Sequence, residues 1–86
     1  MAVRYSKEFI KQLAKQPPKV QEAFFLRLRL FIEDPSSSTL RNHALKGALT
    51  GFYSINVTGD IRAIYEIVDD EIYLYQMIGS HSQLYR

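Results

Sequence analysis

The chain has 86 residues, of which 47% are hydrophobic, and it carries no cysteine. A chain of this length can build one core, so we expect a single domain over residues 1–86. The absence of cysteine excludes a disulfide framework and a thiolate metal site, and no apolar stretch approaches the roughly 20 residues of a membrane span, so we expect a cytoplasmic protein.

The formal net charge of +2 hides an uneven distribution. Residues 1–65 carry ten lysines and arginines against five acidic residues, whereas residues 66–86 carry one against four. A basic surface of this kind suits a polyanion such as RNA, but it equally suits an acidic protein partner or a solvated helix face. Charge alone does not choose among these three.

The first third of the chain predicts a strand and two helices. Met1 to Tyr5 alternates weakly, as a short strand does, and Ser6 then stands where an N-cap belongs. Apolar residues recur with helical period until Pro17-Pro18 breaks the pattern, and a second helical pattern runs from Lys19 to Glu33. We therefore expect a helical hairpin over residues 6–33.

The second half of the chain is typical of a β-meander. Residues 34–51 carry loop chemistry without a sustained period. Three β-branched and aromatic segments follow, separated by short turns: residues 52–57, 61–68 and 71–79. In the last of these, the alternation places Tyr73 and Tyr75 on one face and Ile72, Leu74 and Ile78 on the other.

The order of these elements predicts the fold class. One strand, two helices and three strands make an α+β domain of two layers, in which the helical hairpin packs on a mainly antiparallel four-stranded sheet. The last two strands are apolar on both faces and belong in the middle of the sheet. The second sheet face has no obvious cover, so a ligand or partner could bind there. The final segment, GSHSQLYR, reads as a short polar tail.

Seven polar residues in or beside the meander could carry chemistry, namely His43, Lys46, Asn56, Asp60, Arg62, His81 and Tyr85. Histidine is the commonest proton-transfer side chain, and the only two in the chain are His43 and His81. Each could also be an ordinary surface or capping histidine. Asp60 follows a glycine in a hairpin, where turn geometry alone explains it, and Tyr85 could stack on a base or simply pack.

Arg62 stands out because it interrupts an apolar strand. A charge there is costly to bury without a partner. Arg62 therefore either pairs with an acid such as Glu66 or faces the uncovered side of the sheet, where an anion could bind. Both alternatives stay open. The four glycines form no nucleotide-binding spacing, and two histidines without an HxH or HExxH pattern do not predict a metal site.

Three stretches together resemble a known family of small bacterial toxins. They are HALKGALTGFYSINVTGDIRAIYEI, the acidic hairpin VDDEIYLYQMIG, and the closing GSHSQLYR. The chain resembles the RelE/ParE superfamily of type II toxin–antitoxin toxins, and its ending is most similar to the YafQ-like branch of ribosome-dependent messenger RNA endonucleases. The resemblance covers almost the whole chain and implies the RelE-like fold.

The resemblance also implies a set of site residues. The positions that match the active site of the YafQ-like branch are His43, Asp60, His81 and Tyr85. Arg62 matches the arginine that RelE-like members place against the scissile phosphate. Asn56 departs from the pattern, since the YafQ-like branch has a histidine there and RelE-like members have a lysine.

These correspondences imply an endoribonuclease that needs neither a metal nor a cofactor. Its partners would be a cognate antitoxin, the ribosome and messenger RNA. Two alternatives remain: a ParE-like toxin that inhibits DNA gyrase, and an inactive relative that only binds its antitoxin. The histidine-bearing tail argues against the first, and Asn56 favours the second.

Overall fold

The computed structural model describes residues 1–85. Along the chain its strands and helices are β1 (Ala2–Tyr5), α1 (Lys7–Ala14), α2 (Pro18–Glu33), β2 (His43–Ala44), β3 (Phe52–Asn56), β4 (Ile61–Val68), β5 (Ile72–Ser80) and α3 (His81–Leu84). The strands form one sheet in the spatial order β1-β5-β4-β3-β2. Among the strand pairs that residues 1–85 form, only β1–β5 is parallel, so the predicted α+β class and the mainly antiparallel sheet are confirmed.

The sheet has five strands, and the prediction of four was wrong. The additional strand is β2, in which His43 pairs with Ser54 and Ala44 with Tyr53 on β3. Two residues cannot show an alternation, so a strand this short leaves no periodic signal in the sequence. As predicted, β4 and β5 lie inside the sheet.

Local signals in the sequence set the ends of the two long helices. The backbone N–H of Phe9 donates to Ser6 Oγ at 3.0 Å, so Ser6 is the N-cap of α1. Helix α2 begins with Pro18 at its first position, where the missing N–H costs nothing. It ends at Asp34, immediately before Pro35.

The core lies between the helices and one face of the sheet. Its centre is Tyr75, whose side chain is fully buried. The ring centroid of Tyr75 lies 5.5 Å from that of Phe24, 5.7 Å from Phe9 and 5.3 Å from Tyr65. Aromatic pairs at these separations contribute more than their buried area alone.

Part of the predicted apolar helix surface stays in solvent. On α2, Phe24, Leu28 and Phe31 are buried, whereas Phe25 is 50% exposed and Leu26 60% exposed. The helix is apolar over a wider arc than the sheet can cover. An apolar surface therefore remains on the outside of α2.

A β-bulge in β5 changes which residues face the core. Ile64 pairs with Met77 and Tyr65 pairs with Tyr75, so Gln76 has no partner on β4. The extra residue reverses the alternation, and Ile78 joins Tyr75 in the core. The predicted placement of Ile78 opposite the two tyrosines was therefore wrong.

At two buried tyrosines we expect removal of the hydroxyl group to have opposite effects on the free energy of unfolding. Tyr75 Oη is buried and has no hydrogen-bond partner among the described residues. In contrast, Tyr65 Oη donates to Asn42 Oδ1 at 2.9 Å. We expect Tyr75→Phe to raise the free energy of unfolding by about 1 kcal/mol and Tyr65→Phe to lower it by about 1 kcal/mol.

Chemical denaturation at neutral pH measures both changes, and a shift of the same sign in the two variants contradicts this prediction. The Tyr65 variant has a second signature. Burial raises the pKa of Tyr65 to about 12, whereas an unfolded tyrosine has a pKa near 10. Stability should therefore fall as the pH rises from 10 towards 12, and Tyr65→Phe should weaken this fall.

Candidate active site

The predicted site residues of the sheet share the face that points away from the two long helices. Side chains of paired residues in antiparallel strands lie on the same face. One row across the sheet contains His43, Ser54 and Ile64. The next row contains Asn56, Arg62 and Gly79. Strand spacing places the Cα atoms of His43 and Arg62 about 12 Å apart on this face.

Helix α3 lies directly over this face, at Gly79. A Cβ added to Gly79 would meet Gln83 Oε1 at 2.8 Å and Leu84 Cδ2 at 3.6 Å. Because Gly79 pairs with Arg62, these atoms lie on the side of the sheet to which Arg62 belongs. The φ of Gly79 is not in the left-handed region, so the backbone conformation does not require a glycine there. Glycine is needed instead because a Cβ would come too close to α3. Helix α3 is therefore folded back over the predicted site.

A capping box starts α3. Ser80 Oγ accepts from the backbone N–H of Gln83 at 3.3 Å, and Gln83 Oε1 accepts from the backbone N–H of Ser80 at 2.8 Å. The short polar tail that the sequence predicted therefore forms a helix over residues 81–84. The signal was present in the sequence, because a serine followed three residues later by a glutamine is typical of a helix start.

The two tail residues of the predicted site lie against each other. The rings of His81 and Tyr85 have centroids 4.6 Å apart. Tyr85 also lines a cleft of about 330 Å³ with Leu84, Lys46, Leu49 and two neighbours from the loop after β2. This loop and α3 thus meet over the sheet face. Ser54 and Ile64 are buried, so this loop and α3 partly cover the sheet face that was expected to be uncovered.

Of the two arrangements that the sequence left open, Arg62 adopts the second, because it lies on the sheet face that points away from the helices. Its Nη1 donates to the carbonyl oxygens of Thr58 at 3.3 Å and Gly59 at 3.2 Å. Glu66 Oε2 instead accepts from Gln76 Nε2 at 2.7 Å. Carbonyl groups orient the guanidinium without neutralising its charge, so Arg62 is held in place and still suited to an anion.

His43 is held in an orientation that leaves one ring nitrogen free. Its Nδ1 lies 2.7 Å from the carbonyl oxygen of Arg41, a group that can only accept, so Nδ1 carries a proton. In the neutral ring Nε2 is then the proton acceptor. The preceding Asn42 donates to the carbonyl of Pro35 at 3.2 Å and accepts from Tyr65, which fixes the segment.

Asp60 lies apart from the other four residues. It is exposed in the β3–β4 hairpin, where its backbone N–H is 3.4 Å from Thr58 Oγ1. It does not line the cleft at Tyr85. Nor does it line a second cleft, which Arg62 lines with Arg27 and Arg41. The fold thus places His43, Arg62, His81 and Tyr85 on or over one sheet face, with Asp60 at the adjoining hairpin.

Sequence reasoning missed three kinds of contributor to this site. Asn42 anchors the histidine segment, Gln83 seats α3, and Arg27 and Arg41 line a cleft with Arg62. Only Gln83 had a readable signal. The other contacts join residues far apart in sequence, and no local pattern predicts them.

Within residues 1–85 no group of three or more histidine, aspartate or glutamate side chains is placed to hold a metal ion. None of the helices in the same range is both long enough and apolar enough to cross a membrane.

Comparison with known structures finds the same fold in bacterial toxins. YafQ from E. coli strain BL21(DE3) superposes with a TM-score of 0.81 at 23% identity, over 98% of this chain and 97% of that one. A YoeB/ParE toxin from Agrobacterium tumefaciens gives 0.77 at 15% identity, over 94% and 99% of the two chains. YafQ in the E. coli DinJ–YafQ complex gives 0.72 at 19% identity, over 98% and 97%.

The sequence itself identifies the family. No curated protein sequence matches the chain. However, residues 1–86 match the family described as "Bacterial toxin of type II toxin-antitoxin system, YafQ". This match spans the whole chain and agrees with the fold and with the resemblance to the RelE/ParE superfamily. The chain therefore belongs to the YafQ family of toxins from type II toxin–antitoxin systems.

Proposed function

We propose that this toxin is a ribosome-dependent messenger RNA endonuclease that works without a metal or cofactor. The observation that carries the proposal is the packing of α3 over Gly79, because it folds the tail with His81 and Tyr85 over the sheet face of Arg62 and His43. Two histidines and an unneutralised arginine on or over the same sheet face suit the cleavage of an RNA strand by its own 2′-hydroxyl.

The chemistry requires one proton to leave and one to arrive. A base takes the proton of the 2′-hydroxyl, whose oxygen attacks phosphorus while the bond from phosphorus to the 5′-oxygen breaks. An acid then protonates the leaving 5′-oxygen. Arg62 stabilises the negative charge on the phosphate, for which a guanidinium oriented in advance is well suited. The products are a cyclic phosphate and a free 5′-hydroxyl.

We assign the base to His43 and the acid to His81. His43 offers Nε2 as a proton acceptor because Nδ1 is held by the carbonyl of Arg41. Asp60 is the alternative base, although it lies outside the two clefts. Tyr85, with its ring against His81, orients that histidine or stacks on a base.

The surroundings of the site fit a ribosomal substrate in the bacterial cytoplasm. Three exposed lysines, Lys7, Lys11 and Lys15, are spaced four apart on α1 and its C-terminal end, and Lys15 lines a cleft with Gln83 and Leu84 of α3. They can contact ribosomal RNA phosphates, whereas the messenger RNA enters the site itself. Such contacts weaken as the salt concentration rises.

A cognate antitoxin is the second partner that we propose. YafQ of E. coli forms a complex with DinJ, as the structure of that complex shows. In the present chain, α2 exposes Phe25, Leu26 and Ile32, each at least half in solvent. An extended or helical antitoxin segment can cover this apolar surface.

The test is primer extension on a messenger RNA after the toxin is induced without an antitoxin. The same message with its start codon removed is the control, because it is transcribed but not translated. We expect growth arrest and new 5′ ends within the coding region of the translated message only. A purified ribosome complex programmed with the message should give the same ends.

Each other outcome points to a different function. Cleavage of both messages would show an endonuclease that does not need the ribosome. Intact messages together with gyrase-dependent DNA damage would replace the proposal with a ParE-like activity. Intact messages and normal growth, with the antitoxin still bound, would leave an inactive relative.

A further inference from the structure

A second cleft, of about 500 Å³, lies at the end of the sheet where β3 turns into β4. Three arginines from three parts of the chain line it: Arg27 of α2, Arg41 of the loop before β2, and Arg62 of β4. The other lining residues are uncharged, namely Ser38, Thr39, Asn56, Thr58 and Gly59. Among residues 1–85, no carboxylate belongs to this lining.

Backbone carbonyl groups hold two of these arginines. Arg27 Nε donates to the carbonyl of Val57 at 3.4 Å, and Arg62 Nη1 donates to those of Thr58 and Gly59. Each guanidinium has five N–H groups, so these bonds leave donors for a ligand. The cleft thus gathers three positive charges that its lining does not neutralise, and such a cluster favours an anion.

The third arginine is placed by the backbone. Arg41 has a φ of 47°, in the left-handed region that is uncommon for a residue other than glycine. The neighbouring backbone is fixed on both sides, since the N–H of Asn56 donates to the carbonyl of Leu40 at 2.7 Å and His43 holds the carbonyl of Arg41. The turn directs Arg41 to the cleft from a defined position.

We propose that this cleft binds a backbone phosphate next to the scissile one, and so sets the path of the RNA strand through the site. This inference rests on the proposed nuclease function. Arg62 belongs to both places, since it lies on the sheet face and also lines the cleft. Arginine binds phosphate oxygens through two parallel N–H groups, and Arg27 and Arg41 offer such forks beyond Arg62.

The experiment measures RNA binding in protein whose cleavage is blocked by His81→Gln. A fluorescent single-stranded RNA of about twelve nucleotides is titrated with this protein and followed by anisotropy, from about 50 to about 200 mM KCl. The comparison adds Arg41→Gln or, as a matched control, Arg29→Gln, which lies exposed on α2 outside the cleft. Thermal unfolding of each protein checks its fold.

We expect Arg41→Gln to weaken binding about tenfold at the lowest salt concentration and to reduce the slope of log K against log salt by about 0.7. Arg41→Lys should recover the slope but not the full affinity, because lysine keeps the charge without the fork. Arg29→Gln should change the affinity less than about twofold.

Three results would overturn the inference. The first is that the Arg41 and Arg29 substitutions weaken RNA binding equally. The second is that the folded His81→Gln protein shows no measurable RNA binding. The third is that Arg41→Gln weakens the binding of an acidic antitoxin peptide, titrated in the same way, but not the binding of RNA. Failure of the nuclease function is separate. If the wild-type protein leaves messages intact while Arg41→Gln still lowers RNA affinity, the cleft stands and the nuclease assignment falls.

Discussion

Replacement of His81 by glutamine should lower the rate of messenger RNA cleavage by about 10²- to 10⁴-fold, the usual contribution of a general acid or base. Glutamine keeps a polar side chain of similar length at the start of α3, but it cannot donate a proton to the leaving oxygen at neutral pH. Because His81 is exposed and lies outside the core, the fold and antitoxin binding should be retained. Primer extension and single-turnover cleavage on programmed ribosomes measure the loss.

Ser82→Ala is the matched control for His81. Ser82 is the next residue of α3, is exposed, and shares a hydrogen bond of 3.2 Å with Ser80 Oγ. Its removal should change the cleavage rate less than about threefold, since an exposed hydrogen bond contributes little. Full toxicity of the His81→Gln protein would show that the proton comes from another group.

Arg62→Ala should lower cleavage by about 10²- to 10³-fold, as expected when a charge-stabilising donor is removed from a transition state. Arg62→Lys should lose about tenfold, because an ammonium retains the charge but not the planar fork. If the transition state alone is stabilised, kcat falls while KM changes little. Single-turnover rates over a range of toxin concentrations separate the two.

The hairpin needs its own control in the Arg62 experiment, because Arg62 also donates to two carbonyl groups of residues 58 and 59. Thermal unfolding and antitoxin binding show whether a variant is folded. A folded Arg62→Ala protein that cleaves at the wild-type rate contradicts the assigned role. Asp60→Asn and His43→Gln, compared in the same assay, decide which of the two is the base.

Gly79→Ala tests whether the seating of α3 matters for the site. The added Cβ meets Gln83 Oε1 at 2.8 Å and Gln83 Cβ at 3.3 Å, so the Gln83 side chain must leave the position in which it caps α3. We expect a loss of about 1 kcal/mol in unfolding free energy and about a tenfold loss in cleavage. If the clash is the cause, Gly79→Ala adds no further loss to Gln83→Ala, whereas additive losses contradict it.

The sequence predicted those parts of the fold that depend on neighbouring residues. Ser6, Pro18 and Asp34 mark helix ends through local geometry, and the alternation in β4 marks a strand inside the sheet. The resemblance to known toxins named the five site residues. It could not supply the carbonyl groups that hold Arg62 or the side chain of Asn42 that anchors the segment of His43, because these contacts depend on tertiary packing.

The errors have physical causes of the same kind. A two-residue strand exists only because β3 offers it an edge. The apolar residues of α2 span a wider arc of the helix surface than the sheet can cover, so Phe25 and Ile32 stay in solvent. The face of Ile78 depends on one extra residue in β5, which the alternation of side chains cannot reveal in advance.

The bulge at Gln76 allows one strand, β5, to contribute both to the core and to the candidate site on the opposite face. It is braced from two sides, since Ser6 Oγ donates to the carbonyl of Gln76 at 3.2 Å and Glu66 accepts from its side chain. The first half of β5 supplies tyrosines to the interior, and the second half delivers Gly79 and α3 to the opposite face. The extra residue Gln76 thus reverses the alternation of side chains between the two halves of β5. Without it, the segment that carries His81 would leave the strand on the core side of the sheet.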